Sequence, residues 1–379
     1  MKELKLLDWH SDHAKKMAEY AGWSMPMWYS SVTEEHNAVR HAAGIFDVSH
    51  MTEIFVTGKD ALPFLQYIAT ADVSTPPPIS ATYTCFLNER GGIKDEGLIY
   101  NLGDTYMVVC DAVAMEKLYS WLETLQNGIQ AFSDADIQII NKTFDFSLIS
   151  IQGPTAHTIA ESLFSVNLTD LWWFQCKKTS FQDGPLILSK SGYTGENGFE
   201  LFCESDPHPL WHALLQEGAV PCGLGARDTL RIEAGYTLYG HETQEKQILS
   251  APYDEYTPLH AGFHRWEFPP IHWEKSFIGK DALKAQKSMG ITPSLIYFQM
   301  EERGIPRQGY EIMKEKKRVG VVTSGTKSIL SGAGIGIGYS SAGAPGDEIS
   351  ICMRGQEKKA KIVTPPFYDP KKYGAFREV

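Results

Sequence analysis

Two adjacent carboxylates, Asp95 and Glu96, come shortly after a glycine pair in the stretch NERGGIKDEGLIY, residues 88–100. Gly91 and Gly92 can supply the positive φ that a tight hairpin turn needs, and hydrophobic residues flank them, so the stretch reads as strand, turn and strand. Neighbouring strand residues point to opposite faces, which lets one acid look into the protein while the other looks at water. An inward carboxylate on a rigid hairpin is a place for chemistry. A solvated turn is the competing reading, because acids are common beside turns.

A second candidate is SGYTGENGFE, residues 191–200. Gly192, Gly195 and Gly198 let the backbone turn sharply while Tyr193 and Glu200 project at the two ends. An aromatic ring with a nearby carboxylate suits a flat heterocycle that is stacked and also hydrogen-bonded along a donor edge, although a structural loop fits the same residues. Aromatics recur beside polar residues at Tyr83, Tyr100, Trp173, Tyr193 and Tyr236, enough for a stacking pocket.

Other patterns point away from common chemistries. The pairs His208/His212 and His260/His264, with His272 nearby, lack the glutamate of HExxH and any cysteine or carboxylate cluster, so they read as surface or capping histidines and no metal site is expected. GAGIGIG, residues 332–338, lacks the spacing, the following helix and the ribose-binding acid of a dinucleotide loop and reads as a flexible strand and turn. Neither a GxSxG elbow nor a Walker loop is present.

The elements that must position these residues follow from periodicity. AGWSMPMWY reads as a loop in which Pro26 prevents helix, and residues 34–43 as a helix capped by Thr33 and ended by Gly44. An alternating strand begins at Met51, followed by a helix at 61–69 and a stiff proline connector, residues 75–78. Strands at 81–87, 93–100 and 105–110, a helix at 114–125 and a strand at 136–140 complete a β-α-β-β-β-α-β order. A similar order returns as strand 146–151, helix 154–163, strands 174–181, 185–190 and 198–203, and helix 207–217, which suggests a duplicated α+β architecture. Gly223 to Tyr236 reads as a glycine-rich entry into a helix. Loop signals dominate from Gly240 to Pro270; after Phe277 come one helix and a small all-β tail.

At 379 residues the chain exceeds what one core usually supports, so two or three domains are expected. A formal charge of -11, with scattered basic residues, argues against a nucleic-acid binder. The six cysteines form no CxxC pair and read as reduced, mostly buried thiols. With no apolar run of signal-peptide or membrane-spanning length, a soluble cytoplasmic protein is expected.

AGWSMPMWYSS, GIFDVSHM, NERGGIKDE, IQGP, SGYTGENGFE, GLGARDTLRIEAGYTLYG, FIG, GIPRQGYEI, VTSG and PPFY follow one another as they do in the aminomethyltransferase, or T-protein, family of the glycine cleavage system, which the chain resembles from about residue 10 to 368. The resemblance implies an α+β, three-domain cloverleaf with antiparallel sheets in the first two domains and a C-terminal β-barrel-like domain. The first domain would comprise 1–50 and 138–227, the second 51–137 and 228–276, and the third 277–379. Tetrahydrofolate would lie in a central channel and the lipoylated H protein would be the partner. The implied reaction moves the one-carbon unit of an aminomethyl group from the lipoyl arm to tetrahydrofolate, releasing ammonia and giving 5,10-methylenetetrahydrofolate.

Position by position, the resemblance makes Glu96, Asp111 and Arg227 the catalytic candidates. Glu200 would grip the donor edge of the pterin, Tyr83, Tyr100, Tyr193 and Tyr236 would line the slot with Trp173, and Leu98 would contact it through its backbone. Arg227 would hold the active carboxylate or an anionic part of a ligand. Several positions depart from the family pattern. Glu96 replaces the second aspartate of an Asp-Asp pair, Asp111 an asparagine and His260 a glutamate, Trp173 and Phe174 stand for a tyrosine pair, and the 242–277 stretch is longer. A tetrahydrofolate-dependent demethylase or methyltransferase acting on a small methylated substrate, and a non-catalytic folate-binding protein, are the alternatives in that superfamily.

Overall fold

The computed structural model describes residues 1–245 and 255–377, which form two open sheets and a barrel. The first sheet has six strands in the order Cys176–Phe181, Gly184–Ser189, Gly198–Cys203, Ser147–Gln152, Gly44–Asp47 and Val220–Pro221, antiparallel except for the last pair. The second has five antiparallel strands, Ser80–Leu87, Ile93–Asn101, Tyr106–Cys110, Thr52–Thr57 and Gln138–Asn141. Ser294–Met300, Gly334–Ser340, Lys317–Lys327, Glu311–Lys314, Glu348–Met353 and Gln356–Val363 close the barrel. The architecture is α+β with antiparallel sheets and a C-terminal barrel.

The chain passes from Gly44–Asp47 in the first sheet to Thr52–Thr57 in the second and returns at Ser147–Gln152. The boundary expected at 138 needs correction, because Gln138–Asn141 pairs with Thr52–Thr57 and so belongs to the second sheet. Alternation along the strands explains how the sheets meet. Ile99 and Val108 face the helices of their own unit, whereas Tyr100, Met107 and Val109 pack with Phe46, Leu148 and Phe202 in a core shared by both sheets.

Three local expectations change. AGWSMPMWY contains a strand, Trp23–Trp28, paired with Lys16–Tyr20; Pro26 excludes helix, but the edge of a two-stranded ribbon tolerates its missing N–H. The helix expected at 34–43 is Val32–His41, and its cap is Ser31, whose Oγ accepts the Glu34 amide at 3.2 Å, not Thr33. A short helix, Leu7–His13, lies in the opening segment. The glycine run is the strand and turn expected, with Gly332 at φ 72° in the turn, but the strand from Gly334 is buried in the barrel, not flexible: a Cβ on Gly336 would stand 2.4 Å from the Phe298 ring, so glycine lets that ring fill the barrel.

Helix Leu224–Ala234 is fastened to the barrel. Arg231 Nη1 meets the buried Glu242 carboxylate at 3.1 Å, and its Nη2 donates to Ser324 Oγ at 2.7 Å. Glu233 Oε1 accepts from Ser328 Oγ at 2.7 Å and from the Ile329 amide at 2.9 Å. These buried, charge-assisted contacts hold the helix that carries Arg227 in register with the barrel.

Candidate active site

The hairpin forms as the glycines require. Gly91 adopts φ 85°, Asn88 and Gly92 close the turn at 3.0 Å, and the antiparallel register sets Glu96 opposite Cys85, Leu98 opposite Tyr83, and Tyr100 opposite Ala81. Glu96, Leu98 and Tyr100 therefore share one face of the sheet, while Asp95 and Ile99 share the other.

Neither acid is a solvated turn residue. Asp95 is fully buried; its Oδ1 accepts the Glu96 amide at 2.8 Å, and its Oδ2 meets no partner among the described residues. Burial, helped by the nearby Asp111, pushes its carboxyl well above the usual carboxylate range, which favours the neutral form. Glu96 is half-buried on the opposite face. Tyr83 Oη donates to its Oε2 at 2.8 Å, while the hydroxyls of Thr243 and Thr237 donate to Oε1 at 2.9 and 3.2 Å. Burial raises the Glu96 pKa to about 7 even though those hydroxyls favour the ionised form. The result is a fixed carboxylate balanced between two protonation states near neutral pH.

A second acidic position lies on the first sheet. Glu200 pairs with Ser189 and Ser150 on its neighbouring strands, and Ser191 Oγ donates to its Oε2 at 2.5 Å. Ser191 Oγ is 2.9 Å from Ser189 Oγ, to which Tyr100 Oη donates at 3.3 Å. A string of hydroxyls thus joins Glu200 on one sheet to Tyr100 on the other. The surrounding loop depends on its glycines, because a Cβ on Gly192 would lie 2.0 Å from the Gln152 amide, which instead donates to the Ser191 carbonyl at 3.0 Å.

The aromatic and basic candidates meet around Tyr193, alongside helix Leu224–Ala234. Tyr193 and Tyr236 stack with centroids 5.7 Å apart, and the Arg227 guanidinium lies 4.8 Å from the Tyr193 ring centre. Tyr193 Oη donates to the Thr237 carbonyl, one residue beyond Tyr236. Arg227 Nη1 is buried with no partner among the described residues, so this donor is available to a ligand.

Asp111 does not join Glu96. Its Oδ1 accepts the Val113 amide at 2.9 Å, capping a short turn, and burial raises its pKa against the pull of Arg227 and His241. Trp173 is half-buried on a loop whose backbone is tied to the second sheet, the Ala81 amide donating to Phe174 O at 2.7 Å. No hydrogen bond or ring contact among the described residues links its side chain to the group above. His260 is buried beneath the barrel, with Nε2 2.7 Å from Gln286 Nε2 and its pKa lowered by burial to about 4.

Sequence reasoning missed Thr237, Thr243, Ser189 and Ser191, the hydroxyls that orient both carboxylates. Single hydroxyl residues carry no spacing signal, and their partners lie on other elements. His50 was also missed. It is buried, and burial and Arg227 lower its pKa to about 3, which keeps it neutral beside that cation.

Two interleaved, mainly antiparallel sheets and a closed barrel, with carboxylates and aromatics contributed by the two sheets and the helix between them, make an α+β scaffold around a partly buried acidic and aromatic site. Residues 6–260 match the GCVT N-terminal domain and residues 294–369 the glycine cleavage T-protein C-terminal barrel domain. The chain belongs to the aminomethyltransferase (T-protein) family of the glycine cleavage system and is an enzyme of that class. It is 52% identical over 400 residues to a probable aminomethyltransferase of Thermococcus kodakarensis, covering 100% of both chains. It is 39% identical to the aminomethyltransferase of Bacillus mycoides over 96% of this chain and 97% of that one. The crystal structure of glycine cleavage system aminomethyltransferase T from Bartonella henselae superposes with a TM-score of 0.87 at 28% identity, covering 98% of this chain and 99% of that one.

Proposed function

We propose that the protein transfers the one-carbon unit of an aminomethyl group from the lipoyl arm of H protein to tetrahydrofolate, with release of ammonia and formation of 5,10-methylenetetrahydrofolate. The observation that carries this reading is Glu96, a half-buried carboxylate with a pKa near 7, held by three hydroxyls on the sheet face that also bears Leu98 and Tyr100.

The residues fit a reduced folate. Glu200 offers carboxylate oxygens to a donor edge, and Tyr83, Tyr193 and Tyr236 supply ring faces and edges, while Tyr100, its ring packed in the shared core, bears on the site through its hydroxyl. The unpaired Arg227 Nη1 offers a donor to an anionic or carbonyl group. Tetrahydrofolate would supply the two nitrogens that take the one-carbon unit.

This chain's residues would do three things. Glu96 would hold or release a proton near those nitrogens, its pKa lying close to working pH. When ionised, it would also attract the positive charge that develops as ammonia leaves, and this attraction is stronger in a partly dry site than in water. The tyrosines, Leu98 and Glu200 would fix the orientation on which such transfer depends. Asp111, beside Arg227 and away from the Glu96 oxygens, would tune that arginine rather than replace Glu96. The reaction would take place in the cytoplasm, and no helix among the described residues is long and apolar enough to cross a membrane.

The test is turnover with aminomethylated, lipoylated H protein and tetrahydrofolate, following methylenetetrahydrofolate and ammonia together. Equal yields of both, absent without H protein, are expected. Methyl transfer to folate from a small donor without H protein, or tight folate binding with no product from any donor, would contradict the reading.

A further inference from the structure

Past the barrel's last strand, Gln356–Val363, the chain turns back onto the unit built around the first sheet. Phe367 packs beside Ile232 and Ile335, and its amide donates to the Glu233 carbonyl at 2.8 Å. The Tyr368 ring centre lies 4.6 Å from the guanidinium of the fully buried Arg40. A turn follows, in which the Asp369 carbonyl accepts the amides of Lys372 and Tyr373 at 3.0 and 3.1 Å. The barrel closes without this tail, and no hydrophobic cluster among the described residues includes one beyond Phe367.

What the tail grips is the tip of the SGYTGENGFE loop. The Gly374 amide donates to Glu196 Oε1 at 3.0 Å, the Ala375 amide to the Gly195 carbonyl at 2.9 Å, and Asn197 Nδ2 to the Ala375 carbonyl at 3.2 Å. Arg377 Nη2 donates to Glu196 Oε2, and its Nη1 to the Arg40 carbonyl at 3.3 Å. Gly195, at φ 79°, leaves room where a Cβ would strike the Tyr368 hydroxyl. The buried Glu196 carboxylate thus lies between two guanidiniums. Arg40, inside the first unit, donates at 3.0 Å; Arg377, brought by the tail, is 20% exposed. Tyr193, which stacks on Tyr236 beside Arg227, precedes Glu196 on the same loop.

Charge-assisted bonds to a buried carboxylate are strong, and a glycine-rich loop tip has much backbone freedom to lose. We propose that residues 368–377 are a strap, with Arg377 a positioning residue that acts through Glu196 to hold the Tyr193 loop ready for its ligand. This rests on the folate reading given above. Among the described residues Arg377 bonds only to Gly374, Arg40 and Glu196, none of which holds Glu96. Loosening the strap should therefore weaken binding and spare the chemical step. A released loop must be ordered again by each incoming ligand, and that cost appears in Kd and KM. Arg40 still satisfies Glu196 Oε1 when Arg377 is replaced, so the buried acid keeps a partner and the variant should fold.

The experiment compares the full-length wild type with Arg377→Ala, Arg377→Lys and Asn197→Ala. Amide hydrogen exchange reads the loop, and steady-state kinetics with tetrahydrofolate and aminomethylated H protein read its effect. Arg377→Ala should speed exchange at residues 192–197 while the 88–100 hairpin keeps its protection. It should raise the tetrahydrofolate KM about two- to tenfold, with kcat and the KM for H protein unchanged. Arg377→Lys keeps the charge and should restore part of that KM. Asn197→Ala should move KM the same way, and the Arg377→Ala/Asn197→Ala pair should fall short of additive, because both changes release one strap. Unchanged exchange and KM in Arg377→Ala would overturn the proposal. So would parallel falls in kcat and melting temperature at constant KM, the mark of a merely structural role. If wild type binds no tetrahydrofolate, the folate reading falls, and the exchange data alone decide whether the strap holds the loop.

Discussion

Replacing Tyr83 with phenylalanine removes one of the three hydroxyls that hold Glu96 and keeps the ring that packs against Phe263 and Trp266. The Tyr83 hydroxyl donates to a carboxylate oxygen at 2.8 Å, a contact that favours the ionised form and opposes the burial that has already raised the pKa to about 7. A hydrogen bond to a charged group contributes about 1.5–3 kcal/mol. Since one pKa unit corresponds to about 1.4 kcal/mol, the lower end of that range, which suits a half-buried carboxylate, raises the Glu96 pKa by about one in the variant. If the ionised carboxylate is the active form, the acid limb of kcat/KM moves upward from near pH 7 to near pH 8. At pH 7 the variant should be several-fold slower, and by about pH 9 it should recover most of the difference. The assay is methylenetetrahydrofolate formation from aminomethylated H protein between pH 5.5 and 9.5. An acid limb that stays in place, or moves to lower pH, would refute the reasoning.

Further outcomes follow from the same contacts. The folded-state pKa of Glu96 lies above its ordinary value of 4.5, so the folded protein binds a proton that the unfolded chain has lost, and stability falls as pH rises from about 4.5 to about 7. Glu96→Gln should thus raise folding stability above pH 7, by on the order of 3 kcal/mol at most, with the gain disappearing toward pH 4.5; thermal melts across that range check it. Arg231→Ala strands the buried Glu242 carboxylate and should cost about 3–5 kcal/mol in denaturant unfolding, loosening the barrel from helix Leu224–Ala234. A Cβ on Gly97 would lie 2.2 Å from the Val109 carbonyl, so Gly97→Ala must shift the strand beside Glu96. It should cost about 1–3 kcal/mol in stability, and up to about a hundredfold in kcat if Glu96 moves by about 1 Å.

Periodicity made much of the fold legible. The hairpin of residues 88–100, the paired β-rich halves and the β-rich tail all followed from turn glycines and alternation, because those signals are local. What failed was also local in cause. Pro26 was read as a breaker although an edge strand accepts it, and the apolar glycines of Gly334–Ser340 were read as flexible although they make room for Phe298. Sheet membership was harder. Nothing within Gln138–Asn141 announces that it pairs back to Thr52–Thr57 across two α-helices and three other strands, so the boundary at 138 fell on the wrong side. At the site, Glu96, Glu200, Tyr193 and Arg227 stood out by type and context. The hydroxyls that set their geometry did not, because Thr237, Thr243, Ser189 and Ser191 gain their meaning only when distant strands and loops meet. Spacing left Asp95 and Glu96 equivalent, and packing separates them: Asp95 is sealed in, with its carboxyl pushed well above the usual range, while Glu96 is half-buried against Tyr83.

The account turns on Glu96 holding or releasing the proton in the proposed one-carbon transfer. The most direct measurement is the single-turnover rate of methylenetetrahydrofolate formation by Glu96→Gln, with saturating aminomethylated H protein and tetrahydrofolate at pH 7.5. A fall of about 10²- to 10⁴-fold, with tetrahydrofolate still bound, is predicted. A rate equal to wild type would contradict the claim.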